Sequence, residues 1–336
     1  MPPKPALDAL LGALVALVLG LAFGRWLGPL GLMDTPSGRK HHAEPTPRTA
    51  GLALWTATLG LQALGFLHLP IQRREWLLLS GFALLGLADD LWDLRARWKA
   101  LAGLALGVGL GLSQALFLRS HLDQVTLLGL PLSTSLWVTL PLLTLWFWSV
   151  PQAINLVDGA NGLALGTALV IFAGMVPFWP GSGSSMALGG ILVGLLLMNW
   201  PRARHFLGDC GSLYLGALLA LMVMRTVALP YPTLALWLFA YPILDTTLVV
   251  TTRWRLGRPL GEADRNHFHH HWGELLPKGF DGWVAPLLWA QAALIGFRVY
   301  LSGPWSRAAW VGLALMLGQF GFFLLRRGHA QTPPPQ

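Results

Sequence analysis

The sequence predicts an all-α polytopic membrane protein with about eleven transmembrane helices and an active site at the cytoplasmic face. Three observations carry this. Hydrophobic residues fill 54% of the 336 positions and charged residues 11%, with a mean hydropathy of +0.56; a soluble domain carries about 25% charged residues. Apolar runs approaching the roughly 20 residues needed to span a bilayer recur along the chain. The polar clusters between them fall on alternate connections, so they share one face.

The spans are expected at about 7–31, 51–70, 75–88, 100–118, 136–152, 162–179, 185–200, 211–229, 233–252, 283–301 and 307–325. Internal glycines and prolines are tolerated there, because neighbouring helices satisfy freed backbone groups. Seventeen tryptophans suit interfacial belts. The single cysteine, Cys210, excludes an internal disulfide. The first apolar run is long and no cleavage site follows it, so it reads as a retained span. Residues 1–330 form one integral-membrane domain, and 331–336 a Pro-rich tail.

Alternating the connections places Arg39, Lys40, Arg48, Arg95, Arg97, Lys99, Arg202, Arg204, Arg253, Arg255, Arg258, Arg265, Lys278, Arg326 and Arg327 on one face. The other holds Lys4, Arg73, Arg74, Arg119 and Arg307. Basic residues concentrate in cytoplasmic loops, so the first face is expected inside, with the N-terminus outside and the C-terminus cytoplasmic. A net charge of +8 then points to anionic lipid headgroups or phosphates, not to nucleic acid.

The inner connections carry the chemistry. Loop 32–50 is basic and Pro-rich, as a segment held by anionic lipid would be. Asp89 and Asp90 close the third span and Asp93 follows, with Arg95, Arg97 and Lys99 beyond. Adjacent carboxylates repel and favour a cation between them and a partner, although a solvated loop start also explains the cluster. Asn155, Asp158 and Asn161 recur every third residue. On a helix they form one polar stripe of hard oxygen donors suited to Mg²⁺; an Asx-Gly turn is the plainer reading. Asp209 opens an apolar helix within Gly208-Asp-Cys-Gly-Ser212, as an N-cap or a metal ligand. Asp245 lies inside the ninth span, a functional candidate or a structural partner. The longest loop holds Asp264, Arg265, Asn266, His267, His269, His270 and His271, which suit phosphate, zinc or a pH-sensitive loop.

Taken together these clusters resemble the polyprenyl-phosphate N-acetylhexosamine-1-phosphate transferase family. The resemblance rests on Arg39-Lys40-x-His42 with Pro47-Arg48, Asp89-Asp90, Asn155-Leu-Val-Asp158-Gly-x-Asn161-Gly-Leu, Gly208-Asp209-x-Gly-Ser212-Leu and Asp264-Arg265-Asn266-His267-x-His269-His270-His271. It implies transfer of a HexNAc-1-phosphate, GlcNAc-1-phosphate first, from a UDP-sugar to undecaprenyl phosphate with release of UMP, starting a lipid-linked cell-envelope glycan. It implies Mg²⁺ (or Mn²⁺) held by Asn155 and Asp209. Asp89, Asp90 and Asp158 become catalytic residues, with Asp89 and Asp90 where the lipid phosphate arrives. Lys99 meets diphosphate; Asn161, Arg265, Asn266, His267, His269, His270 and His271 form the substrate pocket. An inner-membrane location follows, and a homodimer is compatible. Many bacterial members carry Asp where Asn161 stands. Asp93 replaces a lysine of the peptidoglycan translocase, the alternative transferase, and so favours an amino-sugar enzyme. A secondary transporter built on Asp245 and a zinc hydrolase built on the histidine loop are the readings from other classes.

Overall fold

The computed structural model describes residues 4–35, 44–118, 126–127, 130–131, 135–179, 185–228, 232–259, 266–277, 280–297, 300 and 304–329. Arg39, Lys40, His42, Asp264 and Arg265 lie outside them. The described residues form thirteen α-helices: α1 (Lys4–Trp26), α2 (Ala50–Ala63), α3 (Arg73–Trp92), α4 (Ala96–Leu118), α5 (Leu136–Val157), α6 (Leu163–Met175), α7 (Met186–Asn199), α8 (Gly208–Val223), α9 (Pro232–Leu238), α10 (Ala240–Arg255), α11 (Phe268–Leu275), α12 (Val284–Gly296) and α13 (Pro304–His329). Two short hairpins accompany them, β1–β2 (Met33–Asp34 with Thr46–Pro47) and β3–β4 (Thr126–Leu127 with Leu130–Pro131). The protein is an all-helical integral membrane protein. α1, α4, α5, α8 and α13 are long and apolar enough to cross a bilayer, and 163–178, 186–199 and 284–296 are shorter apolar helices.

Each of the eleven apolar runs becomes helix, with two differences. The ninth is broken at Phe239 into α9 and α10. Pro242, in the first turn of α10, has no N–H to give a preceding carbonyl, so a new helix starts there. α11 was expected as loop; its polar residues hide a helix from a hydropathy reading.

Packing follows small residues. Lipid tails are as apolar as leucine, so membrane helices associate through close contact and buried polar bonds. α1 buries Asp8, Gly12, Ala16 and Gly20, one per turn, largely against α7. It leaves Leu7, Leu10, Leu14, Val18 and Leu21 exposed, as a lipid-facing stripe would be. α8 is the hub: residues Cys210 to Val223 are all buried, among α2, α3, α5 and α6. Gly86 of α3 lies where any Cβ would collide with the Asp209 carbonyl and the Cys210 amide, so the α3–α8 crossing requires glycine.

At the far end of the bundle α3, α4 and the π-helical turn that follows α8 (Met224–Ala228) are joined by a buried polar network. Glu75 is fully buried; its Oε1 accepts from Ser113 Oγ (2.6 Å), Gln114 Nε2 (2.7 Å) and Arg225 Nη2 (2.6 Å). Its other oxygen accepts the Gln72 amide at 2.8 Å in a capping box for α3. Arg225 also donates to the Pro70 carbonyl and lies 4.5 Å over the Phe117 ring. Removing one partner of a buried ion pair leaves the other charge uncompensated, at a cost of about 3–5 kcal/mol. Arg225→Met is therefore expected to lower the unfolding midpoint in detergent strongly, with Arg225→Met/Glu75→Gln recovering part of the loss. A midpoint unchanged in the single variant would show that the network holds nothing together.

Candidate functional site

Neighbouring helices run in opposite directions, so the C-terminal ends of α3 and α5 meet the N-terminal ends of α4 and α8. These ends carry Asp89 and Asp90, Asn155 and Asp158, Lys99, and Asp209. The stretch 89–99 was expected as a loop. Instead Asp89 and Asp90 occupy the last turn of α3, and Lys99 the first turn of α4. Only Asp93, Leu94 and Arg95 separate the helices. Asp93 closes α3 in the left-handed region (φ 49°), its amide bonded to the Asp89 carbonyl at 2.9 Å, so it does not extend the face that Asp89 begins.

The two adjacent aspartates have different tasks. Asp90, with a side chain 3% exposed, accepts the Asp209 amide at 3.0 Å and the Cys210 amide at 2.9 Å. The first amides of a helix lack intrahelical acceptors and carry partial positive charge. Asp90 thus caps α8 from another helix. Gly208 (φ 69°) makes the turn that presents those amides, and its Cβ would stand 2.7 Å from Asp90 Oδ2. Asp89 faces the other way. Its Oδ1 accepts the Leu94 amide at 2.9 Å, and its Oδ2 lies 2.9 Å from Lys99 Nζ. Lys99 also pairs with Asp209.

Asn155 is in the last turn of α5. Its Nδ2 donates to Ser212 Oγ at 2.8 Å, and its amide also bonds the Asp209 carboxylate. The expected helical stripe stops there. Asp158 is the C-cap of α5, and Asn161 lies in the turn beyond, its Nδ2 donating to the Pro201 carbonyl at 3.2 Å. Burial pushes the Asp158 carboxyl well above its ordinary range, and the charges of Asp209 and Asp90 add to the rise. The turn ends at Gly162 (φ 74°), whose amide donates to Asn199 Oδ1 at 2.6 Å. Asp90, Asp158, Asn161 and Asp209 line a cavity of about 310 Å³, together with Asp34, Arg48, Asn199 and Phe206.

Asp34 and Asn199 were not among the candidates read from the sequence, and Arg48 stood in a motif without being given a role at the site. Arg48 pairs with Asp34 and stands 3.9 Å from Asp90. The β1–β2 hairpin places it there. Asn199 gave little signal: a lone polar residue at the end of an apolar helix.

The histidine loop divides. His269 is buried against the 158–161 turn; a Cβ at Gly159 would lie 2.6 Å from its Nε2. Neither ring nitrogen of His269 has a hydrogen-bond partner among the described residues. Burial first, and neighbouring histidines second, hold it well below the usual histidine range, hence neutral. His270 lies beside it, ring centroids 4.1 Å apart. His271 turns to α13 and stacks on Phe323 at 4.3 Å. Asn266 and His267 are buried at the start of α11. There Asp245 Oδ1 accepts the Phe268 amide at 2.7 Å, and Oδ2 lies 2.7 Å from His267 Nδ1. Asp245, His267 and His269 offer ligand atoms within 4.8 Å of one another, but both Asp245 oxygens are already engaged in seating α11.

The arrangement defines a class: an all-helical membrane protein with carboxylates, two carboxamides and an arginine around one polar cavity at one end of its bundle, and a lysine paired to one of those carboxylates. Residues 75–227 match glycosyl transferase family 4. The chain is 32% identical over 280 residues to a decaprenyl-phosphate N-acetylglucosaminephosphotransferase of Mycobacterium leprae, covering 70% of this chain and 68% of the relative. It is 29% identical over 304 residues to a probable undecaprenyl-phosphate N-acetylglucosaminyl 1-phosphate transferase of Bacillus subtilis (86% and 81%). Against an undecaprenyl-phosphate alpha-N-acetylglucosaminyl 1-phosphate transferase of Escherichia coli K12 the identity is 27% over 315 residues (88% and 83%). The chain belongs to glycosyl transferase family 4.

Two outcomes follow from the geometry. A hydrogen bond to a charged group contributes about 1.5–3 kcal/mol. Asp90 and Asp89 each accept two, but the Asp90 side chain is 3% exposed and that of Asp89 15%. Asp90→Ala, which leaves buried amides of α8 without acceptors, should therefore lower the unfolding midpoint more than Asp89→Ala. Equal midpoints would show that the cap carries no weight. Asp245→Ala should release α11 and speed proteolytic cleavage between 256 and 277, while Asp245→Asn, which keeps an acceptor for Phe268, should stay near the parent rate; equal cleavage of both would remove the latch.

Proposed function

We propose that this chain transfers N-acetylglucosamine 1-phosphate from UDP-N-acetylglucosamine to undecaprenyl phosphate, releasing UMP. The observation that carries the reading is the convergence of Asp89, Lys99, Asn155 and Asp209 beside one polar cavity at the end of a membrane bundle. Such a site joins a soluble anion to a lipid-borne one. An oxygen of the lipid phosphate attacks the β-phosphorus. The bond from that phosphorus to the α–β bridging oxygen breaks, and the bridging oxygen leaves on UMP. A phosphate monoester has a second pKa near 6, so at neutral pH the dianion needs no general base. The acids then act by placing charge.

A divalent cation, Mg²⁺ or Mn²⁺, fits the donors present. Asp209 and Asn155 are hard oxygen ligands, and the bond from Asn155 Nδ2 to Ser212 fixes the amide's orientation. Bound there, the cation supplies Lewis-acid charge to the diphosphate. Lys99 holds phosphate oxygens, Arg48 adds positive charge at the cavity wall, and Asp90 positions Asp209 by capping α8. Asp158, Asn161 and His269 face the nucleotide sugar, neutral His269 as a hydrogen-bonding group. The basic connections at this end support a cytoplasmic site in the inner membrane with eleven spans and the N-terminus outside. Asp245, occupied as a cap for α11, offers little to a transporter.

Purified protein with undecaprenyl phosphate, UDP-N-acetylglucosamine and Mg²⁺ should release UMP and form a lipid-linked diphosphate sugar on thin-layer analysis. Asp209→Asn and Asn155→Ala should each lose most turnover, at least about a hundredfold, while remaining folded. UMP absent across a panel of UDP-HexNAc donors ends the proposal; near-normal rates in both variants remove the cation assignment.

A further inference from the structure

We infer that Lys99 competes with the divalent cation for Asp209, and so couples cation binding to arrival of the sugar nucleotide. This rests on the transferase reading above. The Lys99 ammonium lies 2.9 Å from Asp89 Oδ2 and also pairs with Asp209 Oδ2. Its side chain is 18% exposed, and those of its partners 15% and 27%, so the trio is largely withdrawn from water. Other acids nearby cannot stand in as partners without loss. Asp90 is spent on the amides of α8, and Asp34 on Arg48. Asp209 therefore shares the ammonium with Asp89.

A cation seated on Asp209 faces that ammonium at close range, and like charges repel. The sugar nucleotide changes this. Its diphosphate oxygens are strong acceptors for an ammonium, so Lys99 gains a new partner and leaves Asp209 to the metal. Cation and sugar nucleotide then bind with positive coupling, which linkage makes reciprocal. Free cation alone is held weakly, and the charged pair assembles only with its substrate.

The test is Mn²⁺ titration of the full-length protein in detergent, followed by electron paramagnetic resonance, with Asp209→Asn as the baseline. Lys99→Met and Lys99→Gln should bind Mn²⁺ about tenfold more tightly than the parent without nucleotide, and Lys99→Arg should resemble the parent. UDP-N-acetylglucosamine should tighten Mn²⁺ on the parent roughly fivefold or more, and by a clearly smaller factor on the neutral variants, which keep only the direct contact of cation and diphosphate. Unchanged or weaker Mn²⁺ binding in both neutral variants overturns the inference. So does a parent whose Mn²⁺ affinity ignores the nucleotide, a result that needs no variant to fold. UMP release by the parent separates the two proposals: a parent that turns over without coupling sinks only the competition, while one that releases no UMP sinks the transferase reading.

Discussion

Asp90 reaching across to the first amides of α8 is the bond on which the site depends. It needs three things together: a carboxylate in the last turn of α3, amides freed at the start of α8, and helices close enough for the two to touch. Gly86 supplies the last, because any side chain there would meet the Asp209 backbone. Gly208 turns the chain so that the amides of Asp209 and Cys210 point at the carboxylate. A buried carboxylate is expensive unless it is hydrogen-bonded or paired. Here amides that otherwise lack acceptors offset part of the cost, while burial still pushes the Asp90 carboxyl up to about 7. The arrangement fixes the Asp209 side chain relative to α3, and with it the distance to Asp89 and Lys99.

Around that bond the polar groups are arranged by charge. Lys99 gathers Asp89 and Asp209, Arg48 gathers Asp34 near Asp90, and Asn155 bridges Asp209 to Ser212. Asp158 is pushed toward its neutral form by burial first, and then by the charges of Asp209 and Asp90. At the other end, Glu75 and Arg225 tie α3, α4 and the turn after α8 together. The helices that carry the site are thus held at both ends, by polar bonds whose value is raised where water is scarce.

Much of this was legible in the chain. Apolar run length marked the helices, since the bilayer favours long apolar ones, and the charged residues between them marked the polar clusters. The acids, amides and histidines stood out because such groups are costly near lipid. What did not show was which group bonds to which. Asp89 and Asp90 look equivalent in the sequence, yet one binds a lysine and the other a helix end. Asp245 read as either a functional candidate or a structural partner, and serves to seat α11. The stripe of Asn155, Asp158 and Asn161 implied a continuing helix, whereas α5 ends at Val157 and the last two lie in a turn. α11 was hidden because its helix is short and polar, stabilised by a cap from a residue more than twenty positions earlier.

By itself, then, the chain determined its solvent and its inventory: a helical protein of the membrane, with acids, bases and histidines collected at one end. Hydropathy and charge act locally, so they can be read residue by residue. Tertiary structure alone decided the partnerships, such as Asp90 with α8, Lys99 between Asp89 and Asp209, and His269 against Gly159. Those depend on how closely backbones approach and which carboxyl oxygen faces which donor, and that geometry belongs to several helices at once.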